Sequence, residues 1–367
     1  MKRRSLLQGC ALLTLATALV GCNDKPASDN TTPLTPANPT KTADTTTPSS
    51  TAGSGTYKII VNGISPFWDT MGKGMDAGVK ELGVKSTWQA PSPADHNGQV
   101  KLFNDALSAK VDGIAISPIQ ADAIAPTIDK AIAEGTPVIC FDSDATGSKR
   151  LAYIGTNNFE AGKAAGLVAA KLFPNGGKLV AFVGNMGAQN AQDRYKGFKE
   201  GMKGTNAVFL AEPFEDNKDK AKARKNVEDV ITKYQAQGLN GLVGLYSYNG
   251  PAVVGAVEAA GITRDKMKVV CFDAEVETLN NLRANKIDVT VVQKPYEFGR
   301  LSLMLLNFLH TDKSIDKALQ DMKPELDKQG MTLDAANHNI DTGVDVVTPA
   351  NSKAFLQKLK EKGLESS

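Results

Sequence analysis

The sequence is short of the side chains that usually announce an enzyme or a metal protein. It has three histidines, four cysteines and two tryptophans in 367 residues. His96, His310 and His338 lie far apart with no neighbouring ligand pattern, so no metal site is expected. Cys10, Cys22, Cys140 and Cys271 are too few and too scattered for a disulfide scaffold or a CxxC zinc site. Charge of one sign is also missing. Forty-two basic residues against 40 acidic ones leave a net charge of +2 with no long basic run, which argues against a nucleic-acid binder. Only one long apolar run exists, so a polytopic membrane protein is excluded. There is no GxxxxGK[ST] and no GxSxG. Gly72-Lys-Gly74-Met-Asp-Ala-Gly78 has the outline of a dinucleotide loop, but it lies inside a helical stretch and not in a strand–helix turn. Those glycines read as close helix–sheet packing. Asp142-Ser-Asp144-Ala-Thr-Gly147 is half a calcium loop whose twelfth position is Tyr153, not Glu. No catalytic residue and no cofactor are expected.

What is present begins with an address. Met1-Lys-Arg-Arg4 precedes an apolar stretch from Leu6 to Val20, and the run ends at Leu19-Val-Gly-Cys22. A basic start, a short apolar core and small residues before a cysteine read as an export signal over 1–21, cleaved to leave Cys22 as a lipidated first residue. Arg3-Arg4-Ser-Leu-Leu7 adds a weak likeness to a twin-arginine signal. The next stretch, to residue 56, holds ten threonines and five prolines but no aromatic, and cannot bury enough apolar surface to offset chain entropy. It reads as a disordered tether, which as a flexible coil would reach roughly 30–35 Å.

From Tyr57 the pattern becomes βα units in series. Short apolar runs such as Lys58–Val61, Gly113–Ile116, Pro137–Phe141 and Leu151–Ile154 alternate with helical stretches. A second series runs through Leu179–Val183, Ala207–Leu210, Gly241–Leu245 and Lys268–Phe272, with helices expected over Glu160–Phe173, Gln192–Met202, Lys218–Gln237, Ala252–Ala260 and Val276–Asn285. Continuous apolar strands with intervening helices imply parallel sheets covered on both faces, and two series imply two such lobes. Pro137-Val-Ile-Cys-Phe-Asp142 and Lys268-Val-Val-Cys-Phe-Asp273 are nearly one phrase used twice. Each ends on an aspartate at a strand's carboxyl edge, where ligands bind in open α/β sheets. Cys140 and Cys271 would then be buried packing thiols in separate lobes. Ser65-Pro-Phe-Trp-Asp69 follows the first strand. Its two rings either stack on the C–H faces of a sugar or pack between the lobes. Asp142, Asp273, Asn249, Arg194 and Gln293 all stand at or just after strand ends, and each can make two directed hydrogen bonds to hydroxyls.

Ser65–Trp68, Asp112–Ser117, Pro137–Asp142, Ile154–Asn158, Arg194–Phe198, Asn249–Ala256, Val269–Asp273 and Val291–Gly299 follow one another in a specific order. In that order the chain resembles the periplasmic sugar-binding proteins of ABC transporters, of the ribose-binding type, whose fold is shared with LacI-type repressor cores. The resemblance implies two doubly wound lobes, 57–156 plus 294–341 and 157–293 plus 342–367, joined by a three-crossing hinge near Thr156-Asn157, Gln293-Lys294 and Thr342-Gly343. It implies that Phe67 and Trp68 stack on the ligand and that Asp142, Arg194, Asn249, Asp273 and Gln293 bind its hydroxyls. Ser65, Asp144 and Phe214 fall near further contacts. Ribose binders carry an arginine after the Asp142 position, whereas Ser143-Asp144 follow here, so another pentose, a hexose or a polyol is expected. The partners implied are a small sugar or polyol and the permease subunits of an ABC transporter, with the membrane reached through the lipid anchor alone, no nucleic acid, and a monomeric receptor at the periplasm or cell surface. Two other readings share the body of the chain. A sugar sensor feeding a chemoreceptor or histidine kinase differs only in its partner, and a LacI-type regulator needs a helix-turn-helix where this chain has its export signal.

Overall fold

The computed structural model describes residues 55–312 and 314–366. The export signal, Cys22 and the tether up to residue 54 lie outside the described residues.

Eight elements open the chain: β1 (Thr56–Ile60), α1 (Pro66–Leu82), β2 (Lys85–Gln89), α2 (His96–Ser108), β3 (Gly113–Ile116), α3 (Ala121–Ala133), β4 (Val138–Phe141) and β5 (Tyr153–Gly155). The chain then crosses into a second lobe through α4 (Asn158–Leu172), β6 (Lys178–Val183), α5 (Gln189–Gly201), β7 (Val208–Phe209), β8 (Phe214–Glu215) and α6 (Lys220–Tyr234). That lobe continues through β9 (Gly241–Gly244), α7 (Asn249–Ala259), β10 (Lys268–Phe272), α8 (Val276–Arg283) and β11 (Val289–Val292). It returns through α9 (Pro295–Asp312), α10 (Ile315–Gln329), β12 (Thr332–Asp334) and β13 (Asn339–Asp341), and ends with β14 (Asp345–Val347) and α11 (Ser352–Glu361) in lobe 2.

Lobe 1 is a sheet in the order β12-β13-β5-β4-β3-β1-β2, and lobe 2 one in the order β14-β11-β10-β9-β6-β7, with β8 also pairing to β6. All pairings are parallel except β12–β13 and β11–β14. Alternation along each strand feeds two cores per sheet. Ile59, Ile139 and Phe141 pack under α1 and α9, while Ile60, Val138 and Cys140 pack under α2 and α3. In lobe 2, Phe182, Val269 and Cys271 face α6 and α7, and Ala181, Val270 and Phe272 face α4 and α5. Cys140 and Cys271 are buried free thiols, and burial pushes both thiols up.

The three crossings lie side by side. Thr342 donates from its backbone N and its Oγ1 to the Gly155 carbonyl (2.7 and 3.0 Å), and Lys294 Nζ donates to the Thr342 carbonyl (2.6 Å). Helices pack on backbone at two places. A Cβ on Gly74 would come 1.8 Å from the Tyr296 carbonyl of α9, and one on Gly197 would come 2.0 Å from the Phe159 carbonyl of α4. Gly74 thus serves helix–helix contact. Gly72 faces Trp88 of β2, in the helix–sheet packing expected.

Several boundaries differ from the sequence reading. The Asp/Lys-rich text from Lys317 to Lys328 reads as a solvated face; α10 has that charged face and buries Ala318, Leu319, Met322 and Leu326 on its other side. The strand β2, Lys85-Ser-Thr-Trp-Gln89, is an edge strand with polar alternation and carries no apolar run. α6 starts at Lys220 and not at Lys218. Among the described residues no helix is long and apolar enough to cross a membrane.

Candidate functional site: the cleft between the lobes

The repeated phrase builds the same turn in both lobes. Asp142 follows β4 with φ 61°, and Asp273 follows β10 with φ 63°. A left-handed residue at a strand end turns the chain sharply, and aspartate tolerates that conformation better than most residues. Both carboxylates are buried. Asp142 Oδ2 accepts from Ser117 Oγ (2.7 Å), Asn62 Nδ2 (3.4 Å) and, from lobe 2, Asn190 Nδ2 (3.4 Å). Asp273 Oδ1 accepts from the backbone N and the Nε2 of Gln293 (3.3 and 3.1 Å). Among the described residues no donor reaches the other oxygen of either group. Burial raises both carboxyls, that of Asp273 to about 6, and in each case the largest opposing effect is the Arg194 guanidinium.

Arg194 of α5 is 1% exposed. Its Nε donates to Asn158 Oδ1 and its Nη1 to the Leu245 carbonyl, both at 2.8 Å, while the guanidinium carbon lies 4.8 Å from the Phe272 ring centre. Two hydrogen bonds and a ring hold it, yet its Nη2 is buried without a partner among the described residues. Gln293 Oε1, at the lobe crossing, is a second buried orphan. Buried polar atoms in folded proteins are nearly always paired, so these two residues of the cavity wall hold an unused donor and an unused acceptor.

The rings of Phe67 and Trp68 lie edge to face at 4.8 Å, and Trp68 also meets Phe141 at 5.9 Å. Both are 4% exposed. They belong to the lobe 1 core and also wall the cavity. The cavity is a small one, walled by residues of both lobes. Ser65, Phe67, Trp68, Asp142, Arg194, Asp273 and Gln293 line it.

Three expected residues stand elsewhere. Asn249 is the first residue of α7, with Nδ2 donating to Asp216 Oδ2 (3.0 Å) and Oδ1 accepting from the Tyr246 N (3.0 Å), and does not line the cavity. Asp144 turns away into a bidentate pair with Arg150 (2.5 and 2.7 Å) and lines a separate polar pocket behind the hinge. Phe214 packs its ring toward Phe182 at 6.2 Å in the lobe 2 core. In their place the fold brings Asn62, Asn190, Lys218, Tyr246 and Tyr248 to the cavity. Lys218 sits in the charged text Asp216-Asn-Lys-Asp-Lys220, which reads as a solvated helix start. The Tyr-Ser-Tyr sequence before Asn249 was the one available signal for the tyrosines. Lys218 Nζ donates to the Asn62 carbonyl of lobe 1. Burial pushes its ammonium down to about 7, with Asp142 and Asp216 opposing.

Two doubly wound lobes enclosing a small polar cavity with one aromatic wall define a two-lobed solute-binding protein of the type I architecture. Residues 59–314 match the periplasmic binding protein domain family, and the chain belongs to that family. It is a binding protein and not an enzyme. The ribose import binding protein RbsB of Bacillus subtilis is 24% identical over 274 residues, 73% of this chain and 87% of that one. The D-allose-binding periplasmic protein of Escherichia coli is 27% identical over 263 residues, 68% of this chain and 83% of that one. Among solved structures, an ABC transporter solute-binding protein from Burkholderia graminis, in complex with D-arabinose, superposes with a TM-score of 0.69 at 28% identity, covering 82% of this chain and 97% of that one.

Proposed function

We propose that this chain captures a neutral monosaccharide or polyol between its lobes and delivers it to the permease of an ABC transporter. The observation that carries this reading is the orphan pair, Arg194 Nη2 and Gln293 Oε1, beside two aspartates that each keep one oxygen free. A sugar hydroxyl donates and accepts at once, so vicinal hydroxyls satisfy a cation–carboxylate–amide set that an apolar solute would leave unpaired. Trp68 supplies an apolar face for ring C–H groups. The relatives named for ribose and D-allose, and the neighbour solved with D-arabinose, support a sugar over other polar solutes. No arginine follows Asp142 here, and the cavity's second cation is Lys218, from lobe 2. That difference favours a sugar other than ribose.

The test is a thermal-melt panel on protein freed of carried-over ligand by unfolding and refolding, against pentoses, hexoses, polyols and nucleosides. A ligand at a hundred times its Kd stabilises by about 2.7 kcal/mol. A shift confined to one sugar class is expected, and a panel without any shift overturns the sugar reading. We also propose that the exported protein is held at the membrane by lipid on Cys22. In cells, Cys22→Ala is then expected to move the protein from the membrane fraction to the soluble fraction.

A further inference from the structure

Asn217 and Lys218 are consecutive non-glycine residues with φ 56° and 63°. Such a turn persists only where its surroundings fix it. The buried Asp216 does so. Its Oδ1 accepts from the Lys218 N (2.7 Å) and from Tyr248 Oη (2.6 Å), and its Oδ2 accepts from Asn249 Nδ2 (3.0 Å). Side chains at the lobe 2 rim thus hold the turn that carries the lysine. Lys218 in turn reaches out of lobe 2 to the Asn62 carbonyl, just past β1 of lobe 1. Room for its stem exists because residue 63 is glycine: a Cβ there would lie 3.0 Å from Lys218 Cδ.

We propose that Lys218 is an interlobe latch and specificity residue, tying lobe 2 to the Asn62 carbonyl when the cleft closes while its remaining N–H bonds face the solute. The solute half of this proposal rests on the sugar-binding reading. The latch half does not. The charged groups facing the ammonium are the Asp142 carboxylate from lobe 1 and the Asp216 carboxylate from its own turn, with Arg194 as the other cation of the cavity.

The test is a double-mutant cycle on the whole protein with Lys218→Met, Gly63→Ala and the pair, read by calorimetry with the sugar found in the panel and by small-angle scattering without it. Lys218→Met is expected to weaken binding about 10- to 100-fold, as leaving buried partners without their donor does. Gly63→Ala is expected to weaken it several-fold alone and to add nothing in the Lys218→Met background, because its cost is the displaced lysine stem. The ligand-free Lys218→Met protein is expected to be more expanded than the parent. Wild-type affinity should rise from pH 7 to 9, since closing then releases a proton from the enclosed ammonium, and this rise should vanish in Lys218→Met. Additive losses in the cycle, or a pH rise that survives Lys218→Met, overturn the solute half. Equal radii of gyration for parent and Lys218→Met overturn the latch. If no sugar binds the parent, scattering alone still decides the latch.

Discussion

The two lobes present the same device to the cleft and finish it differently. Each ends an apolar Val-Ile-Cys-Phe or Val-Val-Cys-Phe strand on a left-handed, buried aspartate, and each leaves one carboxylate oxygen without a donor among the described residues. In lobe 1 the engaged oxygen of Asp142 is held by three separate side chains, Ser117, Asn62 and Asn190, the last from the opposite lobe. In lobe 2 the engaged oxygen of Asp273 is held by one residue, Gln293, which is also a lobe crossing. Asp142 is thus held mainly by neutral donors of its own lobe, with one from across the cleft. Asp273 is held by a single residue that stands where the chain crosses between lobes. Arg194 is common to both, because it is the main charge favouring ionisation of each aspartate.

The largest expected effect tests that shared role. Arg194→Met leaves the buried Asp273 without its cation and Asp142 with Lys218 alone, and removing one partner of a buried charge set costs about 3–5 kcal/mol. Denaturant unfolding should show this loss, together with loss of sugar binding at any accessible concentration. A variant that binds weakly but unfolds like the parent would mean that Arg194 serves the ligand only.

The two aspartates should separate next. Both Asp142→Ala and Asp273→Ala are expected to weaken binding tenfold or more. Stability should divide them, since each buried group left unpaired costs about 1–3 kcal/mol, and Asp142→Ala strands groups on three residues while Asp273→Ala strands those of Gln293 alone. Melting temperatures of the ligand-free variants read the difference, and equal losses would remove the distinction between the rims.

The helix pairs sharpen the comparison away from the cleft. Gly197→Ala presses a methyl against the Phe159 carbonyl at 2.0 Å, whereas Gly78→Ala meets Leu303 Cδ1 at 3.3 Å. Overpacking of the first kind costs about 1–3 kcal/mol. A flexible side chain can yield in the second, so a smaller loss is expected there on urea unfolding.

The smallest effect is in pH. Burial raises Asp216 and Asp273 of lobe 2 to about 6, against about 3.9 in an unfolded chain. The folded state therefore binds these protons more tightly. The stability they confer is full below about pH 4 and is lost as pH rises through 6. Melts of ligand-free protein from pH 4 to 7 should show this slope, and Asp273→Asn should flatten it.

Strands buried on both faces were legible because apolar runs such as Leu179–Val183 can hardly be read another way, and the two aspartates because a phrase occurs twice. The edge strand β2 was not, since one of its faces is solvated. Lys218 was not, because a lysine among Asp216, Asp219 and Lys220 looks like helix surface until a left-handed turn aims it across a cleft. Asn249, Asp144 and Phe214 show the opposite limit. Their residue types suit sugar hydroxyls or ring faces, and only the packing reveals that Asp216, Arg150 and Phe182 already engage them.

The two tryptophans also make this receptor its own instrument. Trp68 meets the rings of Phe67 and Phe141 and also walls the cavity, while Trp88 stands half-buried on the edge strand of the same lobe, away from the cleft. Light absorbed at the red edge of the indole band thus samples one ring that a sugar would touch and one that it would not. Emission should shift on sugar addition in the parent and in Trp88→Phe, and stay constant in Trp68→Phe, giving a titration that needs no label and no downstream partner.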